Sequence, residues 1–234
     1  MCGGLGTRLD APVEKPLVEV CGRPMFDRVV DALRQSRVDQ IHAVVSPHTP
    51  DTRAHASTRD MAVIDAPGEG YVSDLGFALE QVGRPVVTVV SDLPLLEPAH
   101  VNDLIENAAG ATRTACVPVS LKRSLGASID DSVVFEYRGT EVCPTGLGVV
   151  GAEAEGGTGA EAEGRTDSEP STDATNTDST DATNTDSTDA TNTDSTDATN
   201  TATFDSTVYL TSDAKLALNV NRQTDIELAE DRCE

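Results

Sequence analysis

The chain has no tryptophan and only three lysines (Lys15, Lys122, Lys215), and aromatic residues make up 3% of its 234 positions. It has no run of about 18 apolar residues, so no transmembrane helix is expected. No charged stretch followed by an apolar one opens it, so a secretory leader is not expected either. The five cysteines (Cys2, Cys21, Cys116, Cys143, Cys233) form no CxxC pair, and no histidine stands at zinc-binding spacing. The expectation is reduced thiols in a cytoplasmic protein. Positive charge is scarce: 17 Lys and Arg face 40 Asp and Glu, for a formal net charge of −23. Residues 152–205 hold 14 acidic residues and 1 basic residue, which leaves the remainder of the chain at −10. The bias therefore extends beyond that stretch. It reads as salt adaptation, in preference to an ordinary acidic protein with a charged tail. Such a charge excludes general binding to nucleic-acid backbone, and any polyanion site has to be built locally.

What is present is an alternation of helix and strand patterns. Residues 24–36 place Phe26, Val29, Val30 and Leu33 at helical spacing, and 71–82 also fit a helix. Residues 40–46 and 61–65 read as strands, and the apolar run 85–91 as a strand buried on both faces. A helix is expected near 98–109, strands near 113–118, 132–136 and 142–150. After the low-complexity stretch, TVYL and LALNVN read as strands, and Thr224 to Arg232 as a closing helix with Gln223 or Thr224 near its N-cap. This alternation implies an α/β fold with a mostly parallel sheet. Residues 152–205 contain the octapeptide TDATNTDS at 172–179, 180–187 and 188–195. A repeat without an apolar residue larger than Ala cannot bury a face, so a disordered insert is expected within one domain formed by 1–151 and 206–234.

The chemistry concentrates in Cys2–Pro24, CGGLGTRLDAPVEKPLVEVCGRP. Gly3, Gly4 and Gly6 let backbone N–H groups approach an anion without Cβ obstruction. Thr7 adds a hydroxyl, Arg8 a guanidinium fork and Lys15 a point charge. A phosphate loop of this kind ordinarily leaves the end of a buried strand. Here it begins at Cys2, so translation is expected to start upstream of Met1. Asp92, in VVSDLPLL, lies just beyond the strand 85–91, at the edge where open α/β sheets bind ligands. A carboxylate there serves as an Mg²⁺ ligand or, before Pro94, as a turn former. Asn221 reads either as a cap or as a second oxygen donor.

The GGxGTR loop, the EKPL motif, the GRP that leads into a helix and LNVNRQTDI at 218–226 together resemble the molybdenum-cofactor guanylyltransferases and sugar-phosphate nucleotidyltransferases. The narrower resemblance is to archaeal GTP:adenosylcobinamide-phosphate guanylyltransferases. It is carried by VEKPLVEVCGRPM (13–25), VVSPHTPDT (44–52), VIDAPGEGYVSDL (63–75), VVSDL (89–93), PTGLGVV (144–150) and LNVNRQTDIELAE (218–230). The resemblance implies a Rossmann-like three-layer α/β/α sandwich of the nucleotide-diphospho-sugar transferase type. It implies GMP transfer from GTP to adenosylcobinamide phosphate, with Arg8, Lys15 and Asp92 in catalysis and Mg²⁺ on Asp92 and Asn221. Nucleotide contacts fall to Cys2, Gly3, Gly4, Gly6, Thr7, Arg8, Lys15, Ser46, Gly68 and Gly70. Gly148 departs from the family pattern, which has Asn there, and that puts an acceptor or metal contact in doubt. The Gly68–Tyr71 turn reads equally as structure or as a base contact, and Asp74 as a cap or an acceptor contact. No nucleic acid or membrane partner is expected, and a homodimer is left open. A molybdopterin guanylyltransferase, a nucleotidyltransferase for another metabolite phosphate and a non-catalytic GTP-binding regulator are the competing readings.

Overall fold

In the computed structural model, helix α1 (Met25–Arg34) turns one continuous face inward: Met25, Phe26, Val29, Val30 and Leu33 are all buried. That face meets two surfaces. Val29 and Leu33 join Val101, Leu104 and Ala108 of α4 (Pro98–Ala108) over Val89, Ala115, Leu147 and Val149. Phe26 and Val30 cover Ala43 and Val45 of strand β3 (His42–Val45), beside Ala56 of α2 (Pro50–Ser57). The alternate residue Val44 points the other way, to Ile64 of β4 (Ala62–Asp65) and Ala78 of α3 (Tyr71–Val82). The sheet is thus covered by helices on both faces, which gives the expected three layers. Each fully buried Leu in this core contributes about 1.5–3 kcal/mol relative to exposure. The structure describes residues 1–4, 6, 9–59, 61–152 and 207–233, all within one compact unit. The expectation for the repeat segment lies outside them.

The remaining strands are β1 (Glu19–Val20), β2 (Arg23–Pro24), β5 (Val86–Val89), β6 (Arg113–Pro118), β7 (Phe135–Tyr137), β8 (Thr140–Val150) and β9 (Val208–Leu210). The described residues add two further helices, α5 (Val119–Leu125) and α6 (Gln223–Glu230). Strands β3 and β4 pair in parallel, and the order β5-β8-β6-β9 forms a second sheet with β7 beside β8. The backbone of Met1 and Cys2 bridges the two sheets. Cys2 N–H donates to Val44 O (2.8 Å), the Met1 amino group to Val89 O (2.8 Å), and Ser91 N–H to Met1 O (3.2 Å). The pairings correct the expectation of a mostly parallel sheet. β6 and β9 are parallel, but β8 runs antiparallel to both β5 and β6. The cause is a tight hairpin. Arg138 (φ 50°) and Gly139 (φ 78°) form a two-residue turn that sends β8 back along β7.

Three other expectations are revised. LALNVN forms no strand: residues 214–217 are turns and 218–221 have no ladder partner among the described residues. Alternation in burial holds only over its second half, with Leu218 and Val220 in the core and Asn219 and Asn221 half-buried; Leu216 and Ala217 in the turn are both buried. The last helix is preceded by Arg222, so Gln223 and Thr224 lie inside its first turn. The cap is supplied by Asp225, whose carboxylate accepts from Asn221 N–H (2.9 Å) and Arg222 N–H (2.8 Å). The cysteines are not all reduced: Cys21 and Cys233 form a disulfide with their Cα atoms 6.5 Å apart. Spacing gave no hint of this pair, because 212 residues separate the two. Cys2, Cys116 and Cys143 are free and buried, and burial pushes the Cys116 thiol up to about 12.

Candidate active site

Two carboxyl-edge segments and one short helical turn converge. The turn is a 3₁₀ helix over Lys15–Leu17, in which Pro16 sits at the helix start. Glu14 just before it reaches across the fold: its carboxylate accepts from Asp51 N–H (2.8 Å) and Thr52 N–H (2.7 Å) at the start of α2. That anchor caps α2, whose N-cap Thr49 makes no side-chain cap bond. It also fixes the residue beside Lys15. Asp92 follows β5 after Val90 and Ser91, and its carbonyl accepts from Val220 N–H (3.0 Å). This bond brings the 218–221 segment alongside, and the period of two then presents Asn219 and Asn221 to the site while Leu218 and Val220 enter the core.

The Lys15 ammonium donates to Asp92 Oδ2 (2.5 Å) and to Asn221 Oδ1 (2.9 Å). The Lys15 and Asp92 side chains retain 16% and 17% of their exposure, so solvent screens the pair only partly. Asp92 is held from behind. Asn219 Nδ2 lies 3.4 Å from Asp92 Oδ1 and donates to Thr145 O (2.6 Å), while Asn219 Oδ1 accepts from Lys122 Nζ (3.0 Å). Lys122 is buried, and desolvation lowers its pKa, an effect partly offset by Cys143, Asp225 and Asp92. Asp225 is fully buried and also accepts from Ser128 N–H (2.8 Å) and Ser128 Oγ–H (2.7 Å).

These groups border a cavity of about 410 Å³, a size typical of small-molecule sites. Its wall includes Met1, Cys2, Gly3, Gly4, Gly6, Lys15, Gly68, Gly70, Asp74, Asp92 and Asn221 among the described residues. Glycine is needed at two places in the loop. A Cβ at Gly6 (φ 61°) would come within 2.8 Å of the Lys15 Cβ, and one at Gly3 within 3.0 Å of the Ser46 Cβ.

Most of the sequence-predicted residues therefore gather in one place. Cys2, Gly3, Gly4, Gly6, Lys15, Gly68, Gly70, Asp92 and Asn221 line the cavity. Ser46 stands behind it, where its hydroxyl donates to Gly3 O (2.9 Å) and sets the loop. Thr7 and Arg8 lie outside the described residues. Gly148 is in the sheet between Thr88 and Thr114 and does not line the cavity. A Cβ there would lie 3.0 Å from Thr88 Oγ1. Asn219, Lys122 and Asp225 were missed. For Asn219 a signal existed, since it shares the period-two face of Asn221; for Lys122 there was none.

Asp92 and Asn221 present hard oxygen donors to one point, which the Lys15 ammonium occupies as a cation. Two protein oxygens completed by phosphate and water oxygens suit Mg²⁺. Among the described residues no cluster of three or more His, Cys, Asp or Glu forms an all-protein metal cage.

A family model, the MobA-like NTP transferase domain, matches residues 1–143. An adenosylcobinamide-phosphate guanylyltransferase of Methanocaldococcus jannaschii is 38% identical over 111 residues, which covers 45% of this chain and 56% of that protein. A bifunctional protein GlmU of Clostridium perfringens is 23% identical over 125 residues, 52% of this chain and 28% of the relative. The matches thus span about half or less of the length of these relatives. Among solved structures, a CMP:2-keto-3-deoxy-manno-octonic acid synthetase complexed with CTP aligns with a TM-score of 0.47 at 14% identity, over 61% of this chain and 69% of that one.

Proposed function

The chain belongs to the MobA-like NTP transferase family, and on that premise we propose that it transfers GMP from GTP to adenosylcobinamide phosphate. One observation carries the reading: Lys15, Asp92 and Asn221 meet within hydrogen-bond distance at the edge of a cavity floored by the glycine loop. A cation, two oxygen donors and bare backbone amides are what a triphosphate needs. The choice of guanylyl transfer and of acceptor is supported by the archaeal relative at 38% identity.

In the proposed reaction an acceptor phosphate oxygen attacks the α-phosphorus of GTP. The new P–O bond forms as the bond to the β-phosphate oxygen breaks, and pyrophosphate leaves. The attacking oxygen is anionic near neutral pH, so no general base is required. The chain's work is positioning and charge neutralisation. The backbone amides of Gly3, Gly4 and Gly6 bind phosphate oxygens, together with Thr7 and Arg8. Lys15 offsets the negative charge that builds on the departing pyrophosphate. Asp92 and Asn221 would hold Mg²⁺, which would supply charge neutralisation to the phosphates when bound. Asn219, bonded to Lys122, keeps Asp92 oriented. The acidic composition supports an enzyme of a salt-adapted cell, with the 152–205 segment inserted in a single catalytic domain.

The test is a pyrophosphate-release assay in high salt with GTP, ATP, CTP and UTP against adenosylcobinamide phosphate and molybdopterin. GTP with adenosylcobinamide phosphate is the expected productive pair. Asp92→Ala is expected to lower kcat by at least about a hundredfold, as for loss of a major electrostatic stabiliser. Near wild-type turnover by that variant would refute the metal role of Asp92.

A further inference from the structure

Lys15 and Asp74 both line the cavity. The glycine loop runs between the two: Gly6 lies against Lys15, and Gly3 lies against Asp74. Asp74 is 5% exposed, lines the cavity and sits in the first turns of α3. Its Oδ1 accepts from Gly68 N–H (2.8 Å). Its Oδ2 makes no hydrogen bond among the described residues. That oxygen lies 3.3 Å from where a Cβ on Gly3 would stand, so glycine at this position leaves the space beside Oδ2 open. An oxygen that faces the cavity with no protein donor is able to accept from a ligand that brings N–H groups.

Resting on the transferase reading above, we propose that Asp74 is the specificity-determining residue for the donor base, with Oδ2 accepting from the N1–H and N2–H₂ edge of guanine. The other bases do not offer this edge. Adenine and cytosine set a lone pair beside their single exocyclic amine, and uracil flanks one N–H with two carbonyls. Each of them turns an acceptor toward a carboxylate that has only lone pairs to offer. Guanine presents two adjacent donors. A buried acceptor of this kind discriminates strongly against analogues that lack the matching donor. Gly68 N–H, by holding Oδ1, fixes the rotation of the carboxylate and so the direction in which Oδ2 points.

The same anchor makes the test specific. In Asp74→Asn the carbonyl oxygen stays on Gly68 N–H, since the amide NH₂ cannot accept from it. The NH₂ therefore takes the Oδ2 position and reverses the hydrogen-bond polarity toward the base. Equilibrium binding of GTP, ITP and XTP is measured for both proteins, alongside pyrophosphate release and the thermal midpoint. Wild type is expected to bind GTP roughly 10- to 100-fold more tightly than ITP, which lacks the N2 amine, the range for one hydrogen bond to a charged group. Asp74→Asn is expected to lose that preference and to gain XTP relative to GTP, because xanthine carries an acceptor oxygen at C2. An Asp74→Asn protein that keeps the wild-type order of GTP over ITP and XTP overturns the proposal and leaves the transferase reading intact. Should the variant not fold, equal wild-type affinity for GTP and ITP overturns it instead. Base selectivity that depends on Asp74 without pyrophosphate release upholds the proposal and refutes the transferase reading. A wild-type protein that binds no nucleotide sinks both.

Discussion

Asp225 offers the sharpest test of how the site is held. It is fully buried and accepts four hydrogen bonds: from Ser128 N–H and Oγ–H, and from Asn221 and Arg222 N–H. A hydrogen bond to a charged group contributes about 1.5–3 kcal/mol, but water entering the space left by a truncated side chain recovers part of each. Removal also returns the desolvation cost of the carboxylate itself. Asp225→Ala is therefore expected to destabilise the protein by about 3–5 kcal/mol, the range for breaking a buried charged network. Asp225→Asn separates geometry from charge. Oδ1 has one donor and Oδ2 has three. An amide with its oxygen at the Oδ2 position keeps three bonds and sets an NH₂ against Ser128 N–H, for a loss of about 1–2 kcal/mol. Urea unfolding at constant salt measures both. In pyrophosphate release, the Ala variant is expected to fall further than its unfolded fraction explains, because Asn221 loses the bond that orients its backbone. An Ala variant within about 1 kcal/mol of wild type, or an Asn variant as unstable as Ala, would refute the reasoning.

Other outcomes follow from the same network and its surroundings. Lys122 has a lowered pKa in the fold, so its charged form is penalised relative to the unfolded chain. That penalty is complete below the depressed pKa and disappears as pH rises past the ordinary 10.5; wild-type stability should thus rise over this window relative to Lys122→Met, and parallel pH profiles in urea would contradict it. Reduction of Cys21–Cys233, or Cys233→Ser, is expected to cost about 2–4 kcal/mol, checked by unfolding with and without reductant. Native protein at pH 8.5 is expected to leave Cys116 unmodified by thiol reagents, because its thiol is buried and titrates near 12. Removal of residues 155–203 is expected to leave both the fold and guanylyl transfer nearly intact, since loop-closure cost rises only slowly with length; lost catalysis in that deletion would overturn the insert reading.

Much of this was legible along the chain because it depended on local spacing. The apolar face of α1 follows from the periodicity that burial of one face imposes, and β5 from a continuous apolar run. Gly6 was legible as a loop residue, since a positive φ is a local demand. LALNVN shows the limit of such reasoning. Its alternation holds from Leu218 to Asn221, but whether an alternating segment becomes a strand depends on a neighbour with free backbone groups, and here Asp92 O and Asp225 take the N–H groups of Val220 and Asn221. The direction of β8 was likewise settled by a two-residue turn, not by composition.

By itself, then, the amino-acid order determined which residues carry charge, which backbone positions are bare, and which faces are apolar; these pointed to Lys15 and Asp92, and the family resemblance of LNVNRQTDI added Asn221. Only the tertiary structure decided that Lys15 bridges the other two, that Asn219 and Lys122 stand behind Asp92, and that Cys21 meets Cys233. The physical reason is distance along the chain. Lys15 and Asn221 are 206 residues apart, and no periodicity encodes a contact of that length. It arises because the core brings β5, the 218–221 segment and the Lys15 turn to one edge of the sheet.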